Sequence, residues 1–96
     1  MTVFAVEYRY DASTAARRDE VRPDHRGWLS EIAEAGQLLV SGPYEDGTGA
    51  LLLMKADDAE ALQSLLAQDP FAVEGLIADS SAAAWTPVSG TLASQF

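Results

Sequence analysis

The chain has 96 residues, no cysteine and a formal net charge of −9. That length makes residues 1–96 a single domain that buries only about 60–65 % of the surface its unfolded form exposes, enough for one sheet with helices on one face. The lack of cysteine excludes disulfides, thiolate metal sites and a cysteine nucleophile. The acidic balance argues against nucleic acid, whose phosphates call for a basic footprint.

The charge is unevenly spread. Residues 1–26 hold all five arginines (Arg9, Arg17, Arg18, Arg22, Arg26) and five acids, whereas residues 27–96 hold Lys55 against ten acids. Positive charge therefore gathers beside the one histidine, His25. Arg17 and Arg18 are expected to pair with Asp19 and Glu20 on a solvated turn, and Arg22 or Arg26 to hold an anionic group near the imidazole. The apolar start of the chain is broken at Glu7 and has no basic flank, so it does not read as a signal peptide. No stretch approaches the ~20 apolar residues of a membrane span. With no cysteine, the expectation is a soluble, cytoplasmic protein without membrane attachment.

In chain order, Phe4, Val6, Tyr8 and Tyr10 alternate with Ala5, Glu7 and Arg9, the period of a half-buried strand. Residues 11–21 are polar, with Asp11 and Ser13 able to open a turn or short helix. Pro23 suits the first position of a helix, where its missing N–H would be unpaired anyway, and Asp24 suits the dipole of the first turn. Trp28, Leu29, Ile32 and Ala33 then recur at helical spacing, and Gly36 ends the run. Residues 38–41 read as a second strand closed by Gly42-Pro43, and residues 44–49 as a hairpin loop. Residues 50–54, apolar on both faces, predict a central third strand. Asp57 and Glu60 fit a capping box before a second helix with Leu62, Leu65 and Leu66 on its buried stripe. Asp69-Pro70 restarts a short turn through Val73. Residues 76–86 predict the last strand, with Trp85 near its end and, like Trp28, assigned to the core. The order β-α-β-β-α-β is the ferredoxin-like α+β arrangement: a four-stranded antiparallel sheet with helices on one face. The other face needs cover, which predicts a homodimer formed sheet to sheet.

His25 precedes Trp28 by three residues, Leu29 by four and Ile32 by seven, which puts it on the inward stripe of its helix. There an imidazole needs a hydrogen-bond partner or loses about 1–3 kcal/mol. The helix N-terminus disfavours the imidazolium, while a nearby carboxylate favours it; a ring under both influences suits general acid/base work. Asp69 before Pro70 is an N-cap signature, and a capping aspartate can keep an oxygen for an imidazole. Packing alone accounts for His25, and capping alone for Asp69, so both structural readings stay open. No metal-binding or phosphate-loop motif is present, and Ser41 is the one further nucleophile to consider.

R-P-x-H-R at 22–26, Gly36-Gln37-Leu38-Leu39 with Ser41-Gly42-Pro43, Asp46-Gly47-x-Gly49-Ala50-Leu51-Leu52, and Asp69-Pro70-Phe71 together resemble the YciI-like (YCII-related) family. The match runs over about residues 3–87 and leaves 88–96 as an extension. The resemblance implies a dimer of the dimeric α/β-barrel kind and a histidine–aspartate pair in a cleft, falling here on His25 and Asp69. It implies proton-transfer chemistry of isomerase, lyase or dehydrohalogenase type on a small cyclic or aromatic compound; one histidine and no metal motif predict no metal site, and no cofactor is expected. Arg22, Arg26, Ser41, Gly42 and Pro43 are expected to line the substrate cleft. The alternative is a non-catalytic small-molecule-binding or assembly module using the same cleft.

Overall fold

The computed structural model describes all 96 residues. Its elements are β1 (Thr2–Arg9), α1 (Ala15–Glu34), β2 (Leu38–Pro43), β3 (Gly49–Ala56), α2 (Ala59–Leu66), α3 (Pro70–Val73) and β4 (Asp79–Ala84), with 3₁₀ turns at Ala12–Thr14 and Ala93–Gln95. The strands form one antiparallel sheet in the order β2-β3-β1-β4 with the helices on one face, a ferredoxin-like α+β fold. No helix is long and apolar enough to cross a membrane.

The alternation in β1 sends Phe4, Val6 and Tyr8 inward, against Ala50, Leu52, Met54 and Ala56 of β3. Trp28 and Ile32 of α1 and Leu62 and Leu66 of α2 close over them. Burying each large apolar side chain contributes about 1.5–3 kcal/mol. A second, smaller cluster of Val21, Phe71 and Leu76 lies beside the first and anchors α3. The outward face of the sheet is open: Val40 is 54 % and Leu51 40 % exposed.

Five expectations change. The first helix starts at Ala15, not Pro23, which lies inside it. Residues 15–22 are mostly strong helix formers, and burial of Arg18 and Val21 outweighs the backbone bond that Pro23 removes. The helix is preceded by a turn that Asp11 caps by accepting a hydrogen bond from the Ser13 N–H at 2.9 Å. Arg18 is therefore no surface partner of Asp19 or Glu20. It is buried, donates to the Asp11 carbonyl at 2.9 Å, and lies over the Tyr10 ring at 4.4 Å. Arg17 does pair with Glu20, and also with Glu74.

The cap of α2 is Asp58, which accepts from the Ala61 N–H at 2.8 Å, one residue after the expected Asp57. The last strand covers only Asp79–Ala84, because Leu76 turns back into the second cluster. Trp85 is 41 % exposed rather than core, and its ring meets Phe96 edge-on at 5.6 Å. Gly36 ends α1 as expected, its φ of +77° being a conformation that glycine takes without steric cost.

Candidate active site

Arg22, His25, Arg26 and Leu29 are spaced i, i+3, i+4 and i+7, so α1 presents them along one stripe. That stripe forms a wall of a cleft of about 240 Å³. The facing wall is the inner side of the sheet: Tyr8 on β1, Ser41, Gly42 and Pro43 on β2, and Ala50 and Leu52 on β3. Tyr10 and Phe71 close one side.

A bulge in β2 sets the geometry of that sheet wall. Leu38 pairs with Met54, but Val40 pairs with Leu53 and Ser41 with Leu52, so Leu39 is the extra residue. An inserted residue reverses the alternation that follows. Ser41 and Pro43 consequently share the inner face with Leu52 and Ala50, their partners on β3. Gly49 locks the neighbouring edge. A Cβ built there would lie 2.0 Å from the Tyr8 carbonyl oxygen, so only glycine permits this approach of β3 to β1.

Asp69 lies behind the cleft and is 0 % exposed. Its Oδ1 accepts the Phe71 N–H at 2.9 Å, which caps α3, and its Oδ2 accepts the Tyr8 hydroxyl at 2.9 Å. His25 Nδ1 lies 2.7 Å from Asp69 Oδ1. A backbone N–H and a phenol both donate to this carboxylate, so its third bond is donated by Nδ1–H of the imidazole. Nε2 is then the nitrogen free to meet a ligand. The imidazole stacks on Phe71 with centroids 3.9 Å apart and planes 4° from parallel, and its side chain is 12 % exposed. Three contacts thus hold the ring: Asp69 at Nδ1, Phe71 on one face, and its own helix.

Burial pushes the Tyr8 phenol far above its ordinary value, and the charge of Asp69 adds to the effect. Tyr8 is accordingly a permanent donor. Burial raises Tyr10 as well, with Asp69 adding to the rise and Arg18 and Arg22 opposing it. Arg22 is paired with Asp19 and lies 6.0 Å from the Phe71 ring, whereas Arg26, exposed at the cleft, makes no ion pair within the chain.

Tyr8 and Phe71 have contacts that sequence reasoning did not assign. A usable signal existed for Tyr8. It follows Phe4 and Val6 in an inward column, and a buried phenol needs a partner.

The profile of the YCII-related domain matches residues 1–86. The chain belongs to the YCII-related family. Among solved structures, this YCII-related chain is similar to 5-chloro-2-hydroxyhydroquinone dehydrochlorinase from Burkholderia phenoliruptrix AC1100 in complex with 2,5-dihydroxybenzoquinone. The TM-score is 0.77 at 23 % identity, over 86 % of this chain and 92 % of that one. An antibiotic biosynthesis monooxygenase matches with a TM-score of 0.61 at 13 % identity, over 93 % of this chain and all (100 %) of the other. An uncharacterized NIPSNAP domain protein from Burkholderia xenovorans matches at 0.55 and 17 % identity, over 93 % and 96 % of the two chains. At such identities these likenesses establish the fold. No curated protein matches the chain.

Proposed function

We propose that this YCII-related protein is an acid/base enzyme that moves a proton on a small cyclic or aromatic compound, by isomerase, lyase or dehydrohalogenase chemistry. The observation that carries this reading is the 2.7 Å contact between His25 Nδ1 and Asp69 Oδ1, which leaves Nε2 available at a cleft wall. The dehydrochlorinase similarity supports a ring-shaped substrate. The cleft, at about 240 Å³, is smaller than the roughly 300–1,000 Å³ of drug-sized sites and fits a single substituted ring.

In this reading His25 Nε2 takes a proton from an acidic O–H or C–H of the ring. The electron pair left behind forms a new π bond. In a dehydrohalogenation, halide leaves with its own bonding pair; in an isomerisation, the proton returns at another carbon. Asp69 holds the imidazole in orientation and stabilises the imidazolium formed. Arg22 and Arg26 face the oxyanion that develops, while Leu29, Leu52 and the Ser41-Gly42-Pro43 segment confine the ring. The protein works as a homodimer whose uncovered sheet faces meet, hiding Val40 and Leu51.

The experiment is chloride release from chlorinated hydroquinones, with double-bond migration in unsaturated lactones as a second arm. Wild type and His25→Ala are compared in both. Turnover by the wild type that falls 10²–10⁴-fold in His25→Ala is the expected result. Equal rates in the two proteins would remove His25 from the mechanism.

A further inference from the structure

We propose that Tyr8 is the positioning residue of the site. Through Asp69 it fixes which nitrogen of His25 carries the proton. The inference rests on the acid/base reading of the cleft, but it concerns a property of the protein that can be read without substrate.

Asp69 is sealed from solvent, so protein groups must satisfy both of its oxygens. Oδ1 has two donors, the Phe71 N–H and His25 Nδ1–H. Oδ2 has one, the Tyr8 hydroxyl, which is itself 1 % exposed. Removing that hydroxyl leaves Oδ2 a buried oxygen with no donor, and the carboxylate relieves this by turning toward its remaining donors, so that Oδ1 no longer meets Nδ1–H squarely. The imidazole is then no longer held to its Nδ1–H form. With its hydrogen on Nε2, the nitrogen facing the cleft becomes a donor instead of a base. One phenol, bonded to Asp69 and not to the imidazole, thereby determines the polarity of the site.

Two features place Tyr8 for this role. Its backbone is held where the β3 chain can approach only because residue 49 is glycine. Its ring ends an inward column with Phe4 and Val6, so the hydroxyl is turned to Asp69 and not to bulk water. The other ionisable groups near the imidazole are Tyr10 at the end of β1 and Arg22 and Arg26 on its own helix. Neither arginine accepts a hydrogen bond, so neither can take the place of Asp69 at Nδ1, and neither donates to Asp69 as Tyr8 does.

The chain has one histidine, so the nitrogen resonances of ¹⁵N-histidine-labelled protein report His25 without assignment. Wild type is expected to show the Nδ1–H tautomer, with that proton slow to exchange. In Tyr8→Phe, which keeps the ring and loses the hydroxyl, the tautomer ratio should move at least tenfold toward Nε2–H. A folded Tyr8→Phe protein with the wild-type ratio overturns the inference. If Tyr8→Phe does not fold, the wild type still decides: a Tyr8 hydroxyl proton protected from exchange supports the inference, and a rapidly exchanging one overturns it. A residue that merely packs would change the melting temperature and leave the tautomer alone. If the tautomer shifts in Tyr8→Phe and no compound is turned over by either protein, the positioning role stands and the acid/base reading falls.

Discussion

At the residue scale, the site depends on one carboxylate with three donors. Asp69 receives the Tyr8 hydroxyl, the Phe71 N–H and His25 Nδ1–H, and no part of it reaches water. Loss of a donor to a buried charged acceptor costs about 1–3 kcal/mol, so Tyr8→Phe should destabilise the fold by that amount at neutral pH. Tyr8 also sets an alkaline limit. Its folded value lies above the ordinary 10.0 of a free phenol, so the native state binds this proton more tightly than the unfolded chain does. The corresponding stability is complete below pH 10 and is lost as pH rises beyond that value. Thermal melts from pH 8 to 12 should therefore show a melting temperature that declines above about pH 10. The decline should be shallower in Tyr8→Phe, where Tyr10 and Tyr44 are left to contribute in the same direction.

At the element scale, two helix caps of the same residue type should differ in energy. Asp58 caps α2 through one exposed bond to the Ala61 N–H, so Asp58→Ala should cost about 1 kcal/mol. Asp69→Ala removes a cap and also orphans the Tyr8 hydroxyl and His25 Nδ1–H, so denaturant unfolding should show a cost of about 3 kcal/mol or more. Equal costs would mean that the buried network contributes nothing. These elements were unequally legible in the sequence. The alternation of β1, the two-faced apolar run of β3 and the Asp69-Pro70 stop each carry a local signal that the tertiary fold reinforces. The start of α1 was misread because proline usually opens a helix, and only packing of Arg18 and Val21 shows why this one continues through it. The bulge at Leu39 has no local signal, yet it turns Ser41 toward the cleft. Tyr8 was legible as an inward strand residue, but its partner lies 61 positions away and emerges only when β1 passes beside α3.

At the scale of the whole molecule, a strongly acidic chain places a pair of arginines at its cleft and leaves one sheet face bare. Val40 and Leu51 on that face are exposed although apolar, and the proposed homodimer would cover them. Light scattering at micromolar concentration should return twice the chain mass, and a Val40→Lys, Leu51→Lys double variant should return the monomer. A wild-type monomer would contradict the dimer. The central claim is that His25, held by Asp69 and backed by Phe71, transfers the proton. The most direct measurement is kcat for wild type and His25→Gln across pH 5–9 on a ring compound that the wild type turns over. A loss of about 10²–10⁴-fold in His25→Gln is the predicted result. A His25→Gln protein with wild-type kcat and an unchanged pH profile would contradict it.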